Sequence, residues 1–189
     1  MCNLLIIIGI DPGFANLGLA AVELHQPAGS TLLGIKLVRT QPTAKKQRMA
    51  AADDESRRLA EIEDAMISFF DEYKPDIVAM ENPPWGKNAH AVKSCALMWG
   101  AAHCLCRTRG LVLINVSAQE IKKALTGNKS ASKEEVFDVV KSKHPTFTQW
   151  PTIAAVEHVA DAAGAALTIR NHPLVFALLG RAGLPAHRT

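Results

Sequence analysis

The chain has 189 residues, of which 48% are hydrophobic and 21% are charged, and its formal net charge is +3. This length suits one α/β domain with a substantial core, and the composition is ordinary for a soluble globular protein. No apolar run is long enough to span a bilayer, and the N-terminal run lacks the basic leader and cleavage site of a signal peptide. The weakly basic charge permits a nucleic-acid partner without requiring one, and no membrane partner is expected.

The four cysteines lie mostly in one apolar helical stretch and show neither disulfide nor zinc spacing: Cys2, Cys95, Cys104 and Cys106. This pattern predicts buried thiols in a reducing compartment. The expected location is therefore the cytoplasm.

The first strand is predicted at Leu4–Ile10, an apolar run rich in β-branched residues. Such a run indicates a strand buried on both faces, near the middle of a sheet. Pro12-Gly13 and Gly18 are interpreted as turn residues, so residues 17–24 are predicted to form an antiparallel hairpin with the first strand. Residues 31–38 then supply a third strand, and the chain begins with an antiparallel meander.

Helices and strands alternate after this meander. The predicted elements are a helix at 53–73, a strand at 76–81, a helix at 88–107, a strand at 111–116, and helices at 117–124, 132–143 and from 154 or 157 to 170. Two of these helices begin with the spacing of a capping box, a Ser followed three residues later by a Glu. No linker or repeat interrupts the order, which predicts one domain over residues 1–189, with residues 171–189 as a C-terminal tail.

The helix predicted at 88–107 is apolar nearly all round. A helix without a polar face is covered on both sides. One side can pack on the sheet, and the other side is covered either by a second subunit or by other parts of the same domain.

Acidic side chains end two predicted strands and begin the last helix. Asp11 and Glu81 follow apolar strands, and His158 and Asp161 share one helix face because they are three residues apart. Taken singly, Asp11 could cap its own turn and Glu157 could interact with the helix dipole. Together, Asp11, Glu81, Asp161 and His158 form a cluster suited to Mg²⁺ or Mn²⁺, and two such ions can drive phosphodiester hydrolysis.

These residues stand in three motifs, I-I-G-I-D-P-G-F-A-N-L-G, D-I-V-A-M-E-N and H-V-A-D-A-A-G-A-A. The pattern resembles the RuvC-type Holliday-junction resolvases of the ribonuclease H-like nucleases, over almost the whole chain to about Asn171. The resemblance implies an α/β fold with a mixed five-stranded sheet, three antiparallel strands followed by two parallel ones, flanked by helices. It also implies a structure-selective endonuclease that resolves four-way DNA junctions by paired symmetric nicks.

The resemblance assigns roles to residues of this chain. Asp11, Glu81 and Asp161 correspond to the family's catalytic acids, and His158 takes a position that is Asp or His in the family, as a metal ligand or proton shuttle. The expected cofactor is Mg²⁺, with Mn²⁺ able to substitute, in two ions per site. The expected assembly is a homodimer, with helix 88–107 as the natural dimer face, and the expected location is nucleoid-associated in a bacterial or phage-infected cell.

A basic segment, A-Q-E-I-K-K-A-L-T-G-N-K-S-A-S-K, resembles the family's DNA-binding region. Its two functional lysines correspond to Lys122 and Lys133, and Lys129 is a further candidate for DNA binding. In the loop after Glu81, Trp85 is a candidate for stacking on an unpaired base, or packs on the neighbouring helix, and Lys87 is a candidate phosphate contact.

Three other functions fit parts of the sequence. A ribonuclease H acting on RNA–DNA hybrids uses the same core, but the lysine loop at 126–133 and the apolar helix favour the resolvase. An actin-like ATPase also uses D-x-G before a hairpin glycine, but it needs a second such lobe, for which this chain has no room. A non-catalytic DNA-junction binding module is disfavoured because all of the acids are retained.

Overall fold

A five-stranded sheet forms the centre of the computed structural model, which describes residues 4–25, 29–44, 49–82, 89–151 and 153–181. The strands are β1 (Leu4–Asp11), β2 (Asn16–His25), β3 (Ser30–Arg39), β4 (Ile77–Glu81) and β5 (Val112–Val116). Their spatial order is β3-β2-β1-β4-β5, with β1, β2 and β3 antiparallel, and with β4 parallel to both β1 and β5. This arrangement confirms the predicted fold class.

Helices cover both faces of the sheet. They are α1 (Ala51–Tyr73), α2 (Ala89–Thr108), α3 (Ala118–Thr126), α4 (Lys133–Lys143), α5 (Ile153–Thr168) and α6 (Pro173–Arg181), with a 3₁₀ turn at Ile169–Asn171. The first two pack on one face and the last four on the other, which gives two hydrophobic cores. None of the described helices is by itself long and apolar enough to cross a membrane, although the bent pair Val156–Asn171 and Pro173–Leu179 meets the length and composition criteria together.

Strand β1 lies in the middle of the sheet, as its composition predicts. Ile7 packs into the core on the α5 side, whereas Ile8 and Ile10 pack into the core beneath α1 and α2. All three side chains are fully buried. Because neighbouring side chains on a strand point to opposite faces, a strand covered on both sides needs an unbroken apolar run.

The interpretation of Gly18 as a turn residue is wrong. Gly18 lies within β2, where it pairs with Asp11 of β1. The tight turn precedes it, where the Gly13 amide donates to the Asp11 carbonyl at 3.0 Å. A Cβ atom on Gly18 would stand 2.1 Å from the carbonyl oxygen of His158, so this glycine is needed because α5 lies directly on the strand.

The outer face of α2 is exposed within the part of the chain that the structure describes. Trp99 is 41% exposed and Cys104 is exposed, whereas Met98 and Ala102 are buried against the sheet. The alternative of a helix buried wholly within its own domain is therefore wrong. The prediction of buried thiols holds for Cys106, holds only in part for the half-buried Cys95 and fails for Cys104, while Cys2 lies outside the described residues.

Part of the predicted C-terminal tail is helical. Residues Pro173–Arg181 form α6, and Val175 and Leu179 are buried in the core on the α5 side. Their burial explains why a short apolar segment follows the last long helix. Residues 182–189 lie outside the described part of the chain.

Candidate active site

The two strand-end acids lie side by side at one edge of the sheet. Strands β1 and β4 run parallel, with Ile10 opposite Met80, so the residues that follow these two, Asp11 and Glu81, are neighbours. Helix α5 crosses the same edge and brings its own acid, Asp161, to them. The resulting cleft has a volume of about 320 Å³ and is lined by Asp11, Glu81, Ala118, Ile121, Lys122, Lys133, His158 and Asp161. All four predicted catalytic residues therefore meet in one place.

Two glycines allow α5 to approach so closely. A Cβ atom on Gly9 would stand 1.8 Å from the carbonyl oxygen of Ala162, and the corresponding distance from Gly18 to the His158 oxygen is 2.1 Å. Real Cβ atoms essentially never come closer than 3.0 Å to such neighbours. The sequence places a glycine on each of the two strands where the helix backbone touches the sheet, and so delivers His158 and Asp161 to the strand ends.

The carboxylates of the cleft perturb one another. The pKa of Glu81 is raised to about 7, first by burial and then by the negative charges of Asp11 and Asp161. The pKa of Asp161 is raised to about 6, again by burial and then by Asp11. The carboxyl groups of Glu81 and Asp161 thus resist ionisation beside Asp11, which is the situation that a cation relieves.

His158 pairs directly with Asp11. Its Nδ1 lies 2.6 Å from the Asp11 Oδ2, and this hydrogen bond raises the pKa of the imidazole. The contact joins the last residue of β1 to a residue that lies far away along the chain. In this geometry His158 orients the Asp11 carboxylate and holds a proton beside it.

Lys133 enters the cleft from the first turn of α4. Its Nζ lies 2.7 Å from Glu157 Oε2 and 3.9 Å from Asp161 Oδ2, and the bond to Glu157 raises the pKa of the lysine. The interpretation of Glu157 as a partner of the helix dipole is wrong, because α5 begins at Ile153 and its first turn carries no acid. The sequence offers no signal for this pairing, since nothing in residue spacing places α4 beside α5.

Two capped helix N-termini flank the cleft. Ser117 caps α3 and Ser132 caps α4, and each forms the predicted capping box with a Glu three residues later, Glu120 or Glu135. The helix dipole and the free amides of such ends favour phosphate groups. Lys122, in the second turn of α3, lines the cleft beside them.

Lys129, a further predicted DNA contact, does not line the cleft. It is exposed in the loop between α3 and α4. Trp85 and Lys87 lie outside the described residues, so their assignments stay predictions.

Metal binding fits the donor set of the cleft. Within the described residues, no group of three or more His, Cys, Asp or Glu side chains is already arranged to hold an ion. Asp11 is turned towards His158, and Asp161 has Lys133 nearby. The donors are nevertheless carboxylate oxygens, which hard divalent ions prefer, and their mutual repulsion falls when such an ion binds. The four-residue ligand set therefore stays a prediction with chemical support.

Comparison with known proteins points to one family. The family described as "Crossover junction endodeoxyribonuclease RuvC" matches residues 7–169 of the chain. The protein of this name from Salinibacter ruber is 33% identical over 138 residues, which cover 73% of this chain and 72% of that protein. The one from Corynebacterium diphtheriae is 33% identical over 133 residues, covering 70% and 76%.

Solved structures agree on the fold. The chain is similar to Thermus thermophilus RuvC in complex with a Holliday junction substrate, with a TM-score of 0.73, 24% identity, and coverage of 93% of this chain and 96% of the other. It is also similar to the yeast mitochondrial Holliday junction resolvase Ydc2, with a TM-score of 0.55, 11% identity, and coverage of 93% and 80%. At these identities the likeness concerns the fold.

Proposed function

The chain belongs to the RuvC family of crossover junction endodeoxyribonucleases, and from this premise we propose that it resolves four-way DNA junctions by paired symmetric nicks. The observation that carries the proposal is the cleft in which Asp11, Glu81 and Asp161 meet with Lys122 and Lys133. Acids that repel one another suit a nuclease metal site, and lysines beside them suit the phosphate that is cut.

Mg²⁺ is the proposed cofactor, with Mn²⁺ able to substitute, and Asp11, Glu81 and Asp161 are the residues that would hold it. Two such ions would supply an activated water and stabilise the leaving oxygen. His158 keeps the Asp11 carboxylate oriented through its 2.6 Å contact and is available to carry a proton. Metal ligation by His158 is part of the same proposal.

Lys133 and Lys122 are proposed to bind the phosphate at the cut. The Nζ of Lys133 is held by Glu157 at 2.7 Å, at the rim of the acidic cleft. A fixed ammonium there attracts the DNA backbone and stabilises the charge that develops during hydrolysis. Trp85, Lys87 and Lys129 are proposed as contacts with the DNA around the junction.

A homodimer is proposed through the outer face of α2. This face exposes Trp99, whose indole nitrogen donates to Asn115 Oδ1 at 3.1 Å and whose ring packs against His103, with centroids 4.0 Å apart and the ring planes tilted by 50°. An isologous dimer matches the approximate two-fold symmetry of a four-way junction and places two active sites on like strands. The proposed location is the cytoplasm, in association with the nucleoid.

Cleavage of a synthetic four-way junction tests the function. The protein is incubated with the junction, a matched duplex and an RNA–DNA hybrid, in Mg²⁺ and in EDTA. Symmetric nicks in the junction alone are expected, and they should disappear with EDTA and in Asp11→Asn. Asp64→Asn, a substitution of an exposed acid on α1, is the matched control and should cleave normally. Cleavage of the hybrid would indicate a ribonuclease H, and tight junction binding without cleavage in any metal would indicate a binding module.

A further inference from the structure

An arginine is buried behind the turn that follows Asp11. Arg58 lies on α1, on the face of the sheet opposite α5, and its side chain is only 9% exposed. Its guanidinium carbon lies 4.5 Å from the centre of the Phe14 ring. Its Nε donates to Thr40 Oγ1 at 3.0 Å, and its Nη2 makes a longer contact, 3.5 Å, with the Phe14 carbonyl.

The charge of Arg58 has no ion-pair partner within the described ranges, 4–25, 29–44, 49–82, 89–151 and 153–181. Its neighbour Arg57 differs in this respect, since it forms ion pairs with Asp54 and Glu61 at the surface. Burying a cation without a carboxylate costs free energy. The ring face of Phe14 and the two oxygen acceptors offset part of that cost.

The contacts of Arg58 converge on the segment between β1 and β2. Thr40 Oγ1, which accepts from Arg58, donates in turn to the Phe14 carbonyl at 2.6 Å. The Thr40 amide donates to the Ala15 carbonyl at 3.1 Å. Arg58 and Thr40 therefore hold the backbone of residues 14 and 15 from the α1 side of the sheet. This segment begins only three residues after Asp11, the first carboxylate of the cleft.

We propose that Arg58 is a positioning residue for Asp11. The guanidinium and Thr40 fix the turn at residues 12–15, and this turn fixes the end of β1, from which the Asp11 carboxylate projects towards α5. His158 orients the same carboxylate from the other side of the sheet. The inference rests on the proposed function, because it assigns Arg58 to the metal-holding acid of that site.

The test separates metal binding, junction binding and cleavage. Arg58→Met keeps the aliphatic stem and removes the guanidinium, and Arg57→Met is the matched control on the same helix. Binding of Mn²⁺ alone is followed by the rise in melting temperature of the metal-free protein, which depends on the ratio of ion concentration to Kd. Junction binding is measured in EDTA, and cleavage is measured in single turnover.

Arg58→Met is expected to weaken Mn²⁺ binding and to slow cleavage, each about tenfold, as substitutions behind metal ligands do. Its affinity for the junction in EDTA should stay within about twofold of the wild type, because the side chain is buried. Arg58→Lys keeps the charge but not the planar fork and should show a smaller defect. Arg57→Met should match the wild type in all three measurements.

An unchanged Mn²⁺ titration in folded Arg58→Met overturns the proposal, and so does a loss of junction affinity that exceeds the loss of Mn²⁺ affinity. If Arg58→Met does not fold, Thr40→Val removes the shared acceptor and should reproduce the Mn²⁺ defect. A wild-type protein that binds Mn²⁺ but cuts no junction would refute the proposed function, while the Mn²⁺ titrations would still decide the role of Arg58.

Discussion

Substitution of Gly9 by Ala should damage both stability and activity, because α5 touches β1 at this glycine. The added Cβ would stand 1.8 Å from the Ala162 carbonyl oxygen, and the shortest distance that real Cβ atoms tolerate is 3.0 Å. The helix backbone must therefore retreat by at least the difference, about 1.2 Å. Ala162 directly follows Asp161, so the retreat carries a proposed catalytic acid away from the cleft.

The magnitudes follow from this displacement. Overfilling a packed core costs about 1–3 kcal/mol, and the gain from replacing a strand glycine offsets only about 0.5–1 kcal/mol. A net loss of up to about 2.5 kcal/mol in the free energy of unfolding is expected. A misplacement of about 1 Å at a reacting group costs roughly 100-fold in rate. Urea denaturation measures the first quantity, and single-turnover junction cleavage measures the second.

Gly164→Ala is the matched control, because it adds the same methyl group to α5 itself. There the new Cβ meets side-chain atoms, Ile121 Cγ2 at 2.8 Å and Leu125 Cδ1 at 3.1 Å, rather than backbone. Side chains can turn aside, and the helix gains about 1 kcal/mol in propensity. Gly164→Ala should thus be the milder substitution in both assays. A Gly9→Ala protein as stable and as active as Gly164→Ala would refute the reasoning.

Three further outcomes follow from the cleft and from the exposed face of α2. The pKa of Glu81 is about 7 in the folded protein, against an ordinary value of 4.5, so the native state binds more protons than the unfolded state between these pH values. The stability of the metal-free protein should therefore fall as the pH rises from 4.5 to 7. In chelator, Glu81→Gln should remove on the order of 2 kcal/mol of this fall, and superimposable wild-type and variant profiles would contradict the assigned pKa. Lys133→Met should slow single-turnover cleavage by about 100-fold or more, as loss of a phosphate-facing donor does. Lys141→Met, at the far end of α4, should not slow it, and equal rates for the two variants would exclude the proposed phosphate-binding role of Lys133. Trp99→Glu should convert the proposed dimer to a monomer in sedimentation velocity, whereas Phe176→Glu, which charges an even more exposed apolar site on α6, should leave the dimer intact.

Much of the fold could be predicted because its signals are local. The β1 strand is apolar from Leu4 to Ile10 since both of its faces are covered, and the two capping boxes are complete within four residues each. The proximity of Asp11 to Asp161 was also predictable, because a helix of small residues can lie close to a sheet, and few arrangements of the two keep its acidic residues away from the strand ends. The prediction that these acids meet rested on the chemistry of crowded carboxylates and not on any distance between them.

The features that the sequence did not reveal depend on tertiary contacts. Gly18 has the composition of a turn, and only the packing of α5 shows that it is a strand residue touched by a backbone. Glu157 pairs with Lys133 across two helices whose relative placement no periodicity encodes. In the sequence Arg58 looks like any solvent-exposed helix arginine, and only the structure shows that its guanidinium packs against the Phe14 ring.

The placement of α5 has a consequence for biosynthesis. Strands β1 and β2 leave the ribosome before α5, and Ile7, Ala20 and Val22 on one face of this pair are covered only when α5 arrives. At about 5–20 residues per second, translation from the end of β2 to the start of α5 lasts roughly 6–26 s. During that interval the nascent hairpin carries an uncovered apolar face, and apolar surface exposed in this way is prone to aggregation. Asp11 likewise acquires its partners His158 and Asp161 only after α5 has been made, so the acidic cleft cannot form before then.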